Sequence, residues 1–124
     1  MGDLLSQARD CGGVQLVTAV FPEMEGGELR SLCDRCRDRQ MDKAVVVLAG
    51  TSAEKQSVSF ACYCTEGAIA AGANAGTIVR EVAALCGGKG GGRPDMAMAG
   101  GKDVTKTAEA LDRVPDILKN MLKG

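Results

Sequence analysis

Glycines and cations are combined in residues 87–101, which have the sequence GGKGGGRPDMAMAGG. Glycine has no Cβ, so a ligand can approach its main-chain N–H groups closely. A bed of such donors beside cations suits phosphates or the edges of sugars. Lys89 and Arg93 lie inside this segment, and Lys102 and Lys106 follow it. The segment is therefore the first candidate for a binding site, and its composition predicts a loop.

Two common phosphate-binding motifs do not fit this segment. A P-loop requires Ser or Thr directly after its lysine, whereas Gly90 follows Lys89 and Asp103 follows Lys102. A dinucleotide-binding fingerprint follows a strand, whereas this segment follows a predicted helix. A flexible linker and a glycine-rich segment packed tightly against a sheet are the alternatives to a binding site.

Four cysteines could provide a different chemistry. Cys33 and Cys36 form a CxxC pair, and together with Cys62 and Cys64 they could supply four thiolates to a zinc ion. However, the first pair shares a helical stripe with leucines, and the second pair shares a strand face with Val58 and Phe60. We therefore expect free thiols in the core and no bound metal, with zinc binding and redox chemistry as the alternatives.

The composition limits the possible functions further. The chain contains no histidine, which removes the commonest general base, and isolated aspartates such as Asp95 and Asp103 are more typical of turns and caps. With 15 basic and 16 acidic residues, any contact with nucleic acid must be local. Two Phe and one Tyr are too few for an aromatic stacking platform. We found neither a signal peptide nor a membrane span, so we expect a cytoplasmic protein.

The hydrophobic pattern predicts the elements that position these residues. Helix and strand periodicities predict an α/β fold with a small mixed β-sheet flanked by helices in a single globular domain. Pro115 is expected to kink the last helix or divide it in two. The predicted elements are a helix end at 1–9, strands at 14–21, 43–50 and 58–64, and helices at 28–40, 74–86 and 104–123, with Asn74 as an N-cap.

The segments GGGRPDMA at 90–97, AGG at 99–101 and NAGTIVREV at 74–82 resemble the DHH-associated domain that ends alanyl-tRNA synthetases. The resemblance covers residues 11–124, and residues 1–10 would be the end of a linker helix. It implies a non-catalytic module that contacts the tRNA elbow and assists aminoacylation and editing. ATP, magnesium and any zinc would belong to other domains, which leaves no cofactor in this chain.

The resemblance also implies partners and alternatives. The partners would be tRNA, which is alanine-specific in the parent enzyme, and the remaining synthetase domains, with no membrane. Self-association as a homodimer and binding of single-stranded nucleic acid or DNA are the alternative functions. The predicted nucleic-acid-binding residues are Arg80, Lys89, Gly90, Gly91, Gly92, Arg93, Asp95, Gly100, Gly101 and Lys102.

Overall fold

The structure, a computed structural model, describes residues 9–11, 13–24, 26–38, 43–52, 54, 56–93 and 95–122. A short 3-10 turn, Val104–Lys106, precedes the last helix. In chain order the elements are β1 Arg9–Cys11, β2 Val14–Pro22, α1 Gly26–Asp38, β3 Ala44–Ser52, β4 Ser57–Cys64, α2 Glu66–Ala70, α3 Ala75–Leu85, β5 Lys89–Gly92, β6 Met96–Gly101 and α4 Thr107–Met121.

The described strands form one six-stranded sheet in the order β1-β2-β3-β4-β6-β5. β2 and β3 run parallel, which requires a crossover connection, and α1 lies in that connection. All other neighbouring strands are antiparallel. The mixed sheet flanked by helices that the sequence predicts is confirmed.

Apolar residues are buried on both faces of the sheet. One core cluster combines side chains of β3 and β4, such as Val47 and Phe60, with Ile78 of α3 and Val114 of α4. The other cluster lies on the α1 side and includes Leu29. Because β3 is central, its first seven residues are all buried, which explains its continuous apolar sequence.

Side-chain caps define the starts of two helices. Asn74 Oδ1 accepts a hydrogen bond from the Thr77 backbone N–H at 3.1 Å, as the sequence predicts for α3. Thr65 Oγ1 accepts from the Ala68 N–H at 3.3 Å at the start of α2, and also from the Ala44 N–H at 2.9 Å. The second bond ties the start of α2 to the central strand β3.

Replacing Asn74 with alanine should destabilise the domain through α3. The change removes the acceptor for the Thr77 N–H, and loss of an N-cap typically costs about 1 kcal/mol of unfolding free energy. Urea denaturation measures this loss. Asn74→Asp keeps a capping oxygen and should remain close to wild type, whereas equal losses in both variants would mean that the cap is not the cause.

The N-terminal part of the domain differs from the prediction. Arg9–Cys11 is a strand rather than a helix end, and Cys11 pairs with Val14 across a tight turn. Gly13 has a φ of +91° in this turn, a value that glycine adopts readily in hairpin connections. The rest of the predicted linker helix, residues 1–8, lies outside the described residues.

The last helix also differs from the prediction. α4 is one continuous helix that contains Pro115, so the predicted division into two helices is wrong, while a kink at the proline stays a prediction. Val114 and Leu118 are fully buried on either side of the proline, and this packing holds the helix together across the missing N–H. The buried stripe of α4 passes through Thr107 and Leu111, and Ala108 between them is exposed.

Two further features of the helices were not predicted. α2, which has only five residues, is too short to give a periodic signal. Leu85, the last residue of α3, is 38% exposed, because Val82 and Cys86 occupy the neighbouring core positions.

Candidate nucleic-acid interface

The glycine-rich segment is a β-hairpin at the edge of the sheet rather than a loop. β6 pairs with β4 on one side and with β5 on the other, and β5 is the outermost strand. The hairpin is closed at its tip by a hydrogen bond from the Arg93 N–H to the Met96 carbonyl at 3.1 Å. All four residues of β5 are exposed. The segment therefore presents a glycine strand, with a defined register, to the solvent.

Two glycines in this hairpin leave no space for a side chain. A Cβ on Gly90 would overlap the Cβ and Cα of Ala99 on the paired strand. A Cβ on Gly88 would overlap the Gly100 carbonyl. Glycine is poorly suited to strands in general, which is why the sequence predicts a loop here. The close approach of β5 and β6 explains why glycine nevertheless occupies a strand.

The two cations of the hairpin lie on the same face of the sheet. Lys89 pairs with Gly100, and Arg93 is bonded opposite Met96, so both share the face of Met96 and Met98. These methionines pack against the core cluster on the α1 side. α1 packs mainly on β3 and β4. The α1-side face of the hairpin consequently remains open beside the helix.

Grooves border the hairpin, and three of those lined by described residues together include almost every predicted site residue. We call them the tip groove, the base groove and the helix groove. The tip groove, of about 480 Å³, is lined by Arg30, Asp34, Gly91, Gly92, Arg93, Asp95, Met96, Ala97 and Met98. The base groove, of about 490 Å³, is lined by Ser57, Val58, Ser59, Gly87, Gly88, Lys89, Gly100, Gly101 and Lys102. The helix groove, of about 210 Å³, is lined by Asn74, Gly76, Thr77, Arg80, Gly91 and Gly92.

The cations are distributed over these three grooves. Arg93 lies at the tip, Lys89 and Lys102 lie at the base, and Arg80 projects from α3 beside the middle of β5. All four side chains are exposed. β5 itself spans only about 13 Å, from about 3.3 Å of rise per residue. Lys89 and Arg93 thus lie on the α1-side face of the edge strand, and Arg80 lies on its α3 side.

Most main-chain N–H groups of the segment are used inside the fold, so the expected bed of donors is small. The Gly88 N–H donates to the Ala83 carbonyl, and the Lys102 N–H donates to the Cys86 carbonyl. With Arg93 bonded to Met96, strand alternation directs the N–H and C=O groups of Gly90 and Gly92 to the outer edge. Gly92 faces Gly76 of α3. A Cβ on Gly76 would lie 2.9 Å from the carbonyl oxygen of Gly92.

Among the predicted site residues, Gly101 is the least accessible. It is buried, and a Cβ there would lie 2.6 Å from the Cys86 Cβ, so tight packing explains this glycine. Gly90 lines none of the three grooves described above but is exposed on β5. Sequence reasoning missed Arg30 and Asp34 of the tip groove and Ser57 and Ser59 of the base groove. No local pattern marks them, because only the sheet order brings them beside the hairpin.

The cysteines predicted for the core are divided between the two faces of the sheet. Cys33 belongs to the cluster on the α1 side, and Cys62 and Cys64 belong to the opposite cluster. Burial, followed by the hydrogen bond with Cys64, raises the pKa of Cys62 well above its ordinary value, so this thiol stays protonated at neutral pH. The Cys36 side chain lies outside the described residues. Among the described residues, no three of His, Cys, Asp or Glu cluster as metal ligands would.

None of the helices in the described ranges is both long and apolar enough to cross a membrane.

The sequence of this chain matches the DHHA1 domain over residues 13–120, which is most of its length. The chain belongs to the DHHA1 domain family. The solved C-Ala domain of the Aquifex aeolicus alanyl-tRNA synthetase is 34% identical to this DHHA1 domain and superposes with a TM-score of 0.81. That alignment covers 91% of this chain and 98% of the C-Ala domain.

Curated relatives of this DHHA1 domain include two bacterial alanine–tRNA ligases. The enzyme of Alkaliphilus oremlandii is 41% identical over 98% of this chain, and that of Shouchella clausii is 42% identical over 97% of it. The DHHA1 domain spans only 13% of the length of each relative. The similarity is thus to one part of a much longer enzyme.

Proposed function

We propose that this DHHA1 domain is a non-catalytic, tRNA-binding module at the C-terminal end of an alanine–tRNA ligase. The observation that carries the proposal is the match to nearly the whole C-Ala domain of the Aquifex enzyme. In this proposal, other domains of the ligase supply aminoacylation and editing, together with ATP, magnesium and any zinc. The domain contacts the tRNA elbow and works in the cytoplasm.

The exposed hairpin is the part of the domain that we assign to the tRNA. Lys89, Arg93 and Lys102 contact phosphates across the open face. Arg80 adds a further positive charge from α3, beside Gly91 and Gly92. Phosphate contacts depend on charge and position rather than on base sequence, which suits cations on a strand without side chains in between. Because the formal net charge is −1, the attraction of the domain for RNA must come from this local group of cations.

The test is a titration of tRNA with the Lys89→Ala/Arg93→Ala double variant over a series of salt concentrations. Each phosphate contact contributes about 0.7–0.9 to the slope of log K against log salt, so the variant should bind more weakly and with a slope reduced by about 1–2. Arg113 and Lys119 are exposed on α4. The Arg113→Ala/Lys119→Ala control makes the same change of charge there and should bind as wild type does.

Equal binding by wild type and by the Lys89→Ala/Arg93→Ala variant at every salt concentration would contradict the assignment of the hairpin.

Self-association is a second candidate, favoured by the exposed edge strand β5. It predicts a stable dimer in sedimentation, whose disruption leaves RNA binding unchanged. Stronger binding of single-stranded DNA than of folded tRNA would support the third candidate, a single-strand-binding domain.

A further inference from the structure

The tip groove has a different chemistry from the rest of the hairpin. Among the described residues, the charged ones that line the base groove are Lys89 and Lys102, whereas the tip groove combines Arg30 and Arg93 with Asp34 and Asp95. Two guanidinium groups and two carboxylates balance one another. A carboxylate repels a phosphate, so the tip groove attracts phosphate less strongly than the base groove does, and it suits a ligand that has both hydrogen-bond donors and acceptors.

Two methionines, Met96 and Met98, give the tip groove an apolar part beside its charged side chains. Met98 lies opposite Gly91 on β5 and opposite Ala61 on β4, so small residues flank its side chain across the sheet. Met96 and Met98 are half-buried, and their thioethers can pack against an aromatic ring. The groove volume of about 480 Å³ falls within the usual range of about 300–1,000 Å³ for small-ligand sites.

The aromatic residues of the chain cannot provide a stacking surface in this groove. Phe60 and Tyr63 are buried in the two core clusters, and Phe21 packs against the core cluster on the α1 side. Unstacked RNA bases can instead stack on guanidinium planes, and their edges then form hydrogen bonds with polar side chains. Arg30, which is not among the residues assigned to phosphates, supplies such a plane, and Asp95 supplies an acceptor.

We propose that the tip groove receives one unstacked nucleobase of the bound RNA. The base lies over Met96 and Met98 beside a guanidinium, and an amino or imino N–H on its edge donates to the Asp95 carboxylate. Carboxylates are acceptors for such exocyclic amines. This inference rests on the proposed tRNA binding and adds a contact that distinguishes a base from a phosphate.

The direction in which tRNA affinity changes when the charge of Asp95 is neutralised tests this proposal. If Asp95 merely lies near a polyanion, Asp95→Asn should leave tRNA binding unchanged or strengthen it, because a repulsive charge is removed. If the carboxylate accepts from a base, the same variant should bind tRNA about tenfold more weakly, because the neutral amide forms a weaker hydrogen bond and its NH2 group can face the N–H of the base. The salt dependence should not change, because no phosphate contact is removed.

The controls use a second ligand and a matched variant. A fully paired RNA duplex offers phosphates but no unstacked base, so Asp95→Asn should bind it as wild type does. Asp112→Asn makes the same change of charge on the exposed surface of α4 and should bind both RNAs as wild type does. Arg30→Lys keeps the charge at the α1 wall of the groove but removes the guanidinium plane, so it should also weaken tRNA binding, and it carries the test if Asp95→Asn does not fold.

The outcomes separate this proposal from the function on which it rests. Weaker tRNA binding together with unchanged duplex binding supports the base site. Equal or tighter tRNA binding by Asp95→Asn overturns it, and the function still stands if Lys89→Ala/Arg93→Ala weakens binding. A wild-type domain that does not bind tRNA would overturn both.

Discussion

Gly90→Val should disrupt the hairpin and greatly weaken tRNA binding. The new Cβ would overlap the Ala99 side chain and backbone, and β6 cannot move away because it also pairs with β4. Overpacking of this kind costs about 3 kcal/mol of unfolding free energy, at the upper end of the usual range, because backbone rather than a flexible side chain is in the way. Urea denaturation measures the stability, and a tRNA titration measures the function.

Gly27→Ala is the matched control for this substitution. A Cβ at that position has no atom within 4 Å, and alanine is a better helix residue than glycine. We expect its stability to be equal to or slightly above that of wild type, with unchanged tRNA binding. If Gly90→Val were as stable as Gly27→Ala, the close pairing of β5 and β6 would be wrong.

Phe60→Ala should cause the second large effect, a loss of about 3–5 kcal/mol of unfolding free energy. Phe60 is fully buried on β4, and its cross-strand neighbours are Ala49 and Ala99. These small neighbours cannot fill the cavity that the ring would leave under the helices. Because Ala99 belongs to β6, the same cavity lies beside the hairpin that we assign to tRNA.

Phe21→Ala provides the comparison in a urea denaturation series. Phe21 is only half-buried near the end of β2, so its loss should cost about 1–2 kcal/mol, since little cavity remains when solvent can enter. Losses of equal size at the two positions would contradict the central position of Phe60 in the core.

Much of the fold could be predicted because hydrophobic periodicity is local information. The alternation from Val58 to Cys64 and the continuous apolar run of β3 predict their strands, and Asn74 marks the start of α3. The β5–β6 hairpin could not be predicted in this way. Gly90 and Gly88 are required because a Cβ at either position would overlap Ala99 or Gly100. This constraint becomes visible only when the strands are paired.

The candidate site shows the same division between local and tertiary information. Lys89, Arg93 and Asp95 could be identified from the glycine-rich segment itself. Arg30 and Asp34 appear in the sequence only as members of the polar face of a helix. They line the tip groove because α1 crosses between β2 and β3 and packs on the face that the hairpin extends. The local pattern of charges does not predict a crossover connection.

Footprinting of tRNA on this domain tests the central claim most directly. The wild-type domain should protect a continuous set of nucleotides at the tRNA elbow. Lys89→Ala/Arg93→Ala should lose that protection, and Arg113→Ala/Lys119→Ala should retain it. No protection by the wild-type domain, or equal protection by the hairpin variant, would contradict the assignment of the β5–β6 hairpin as a tRNA-binding surface.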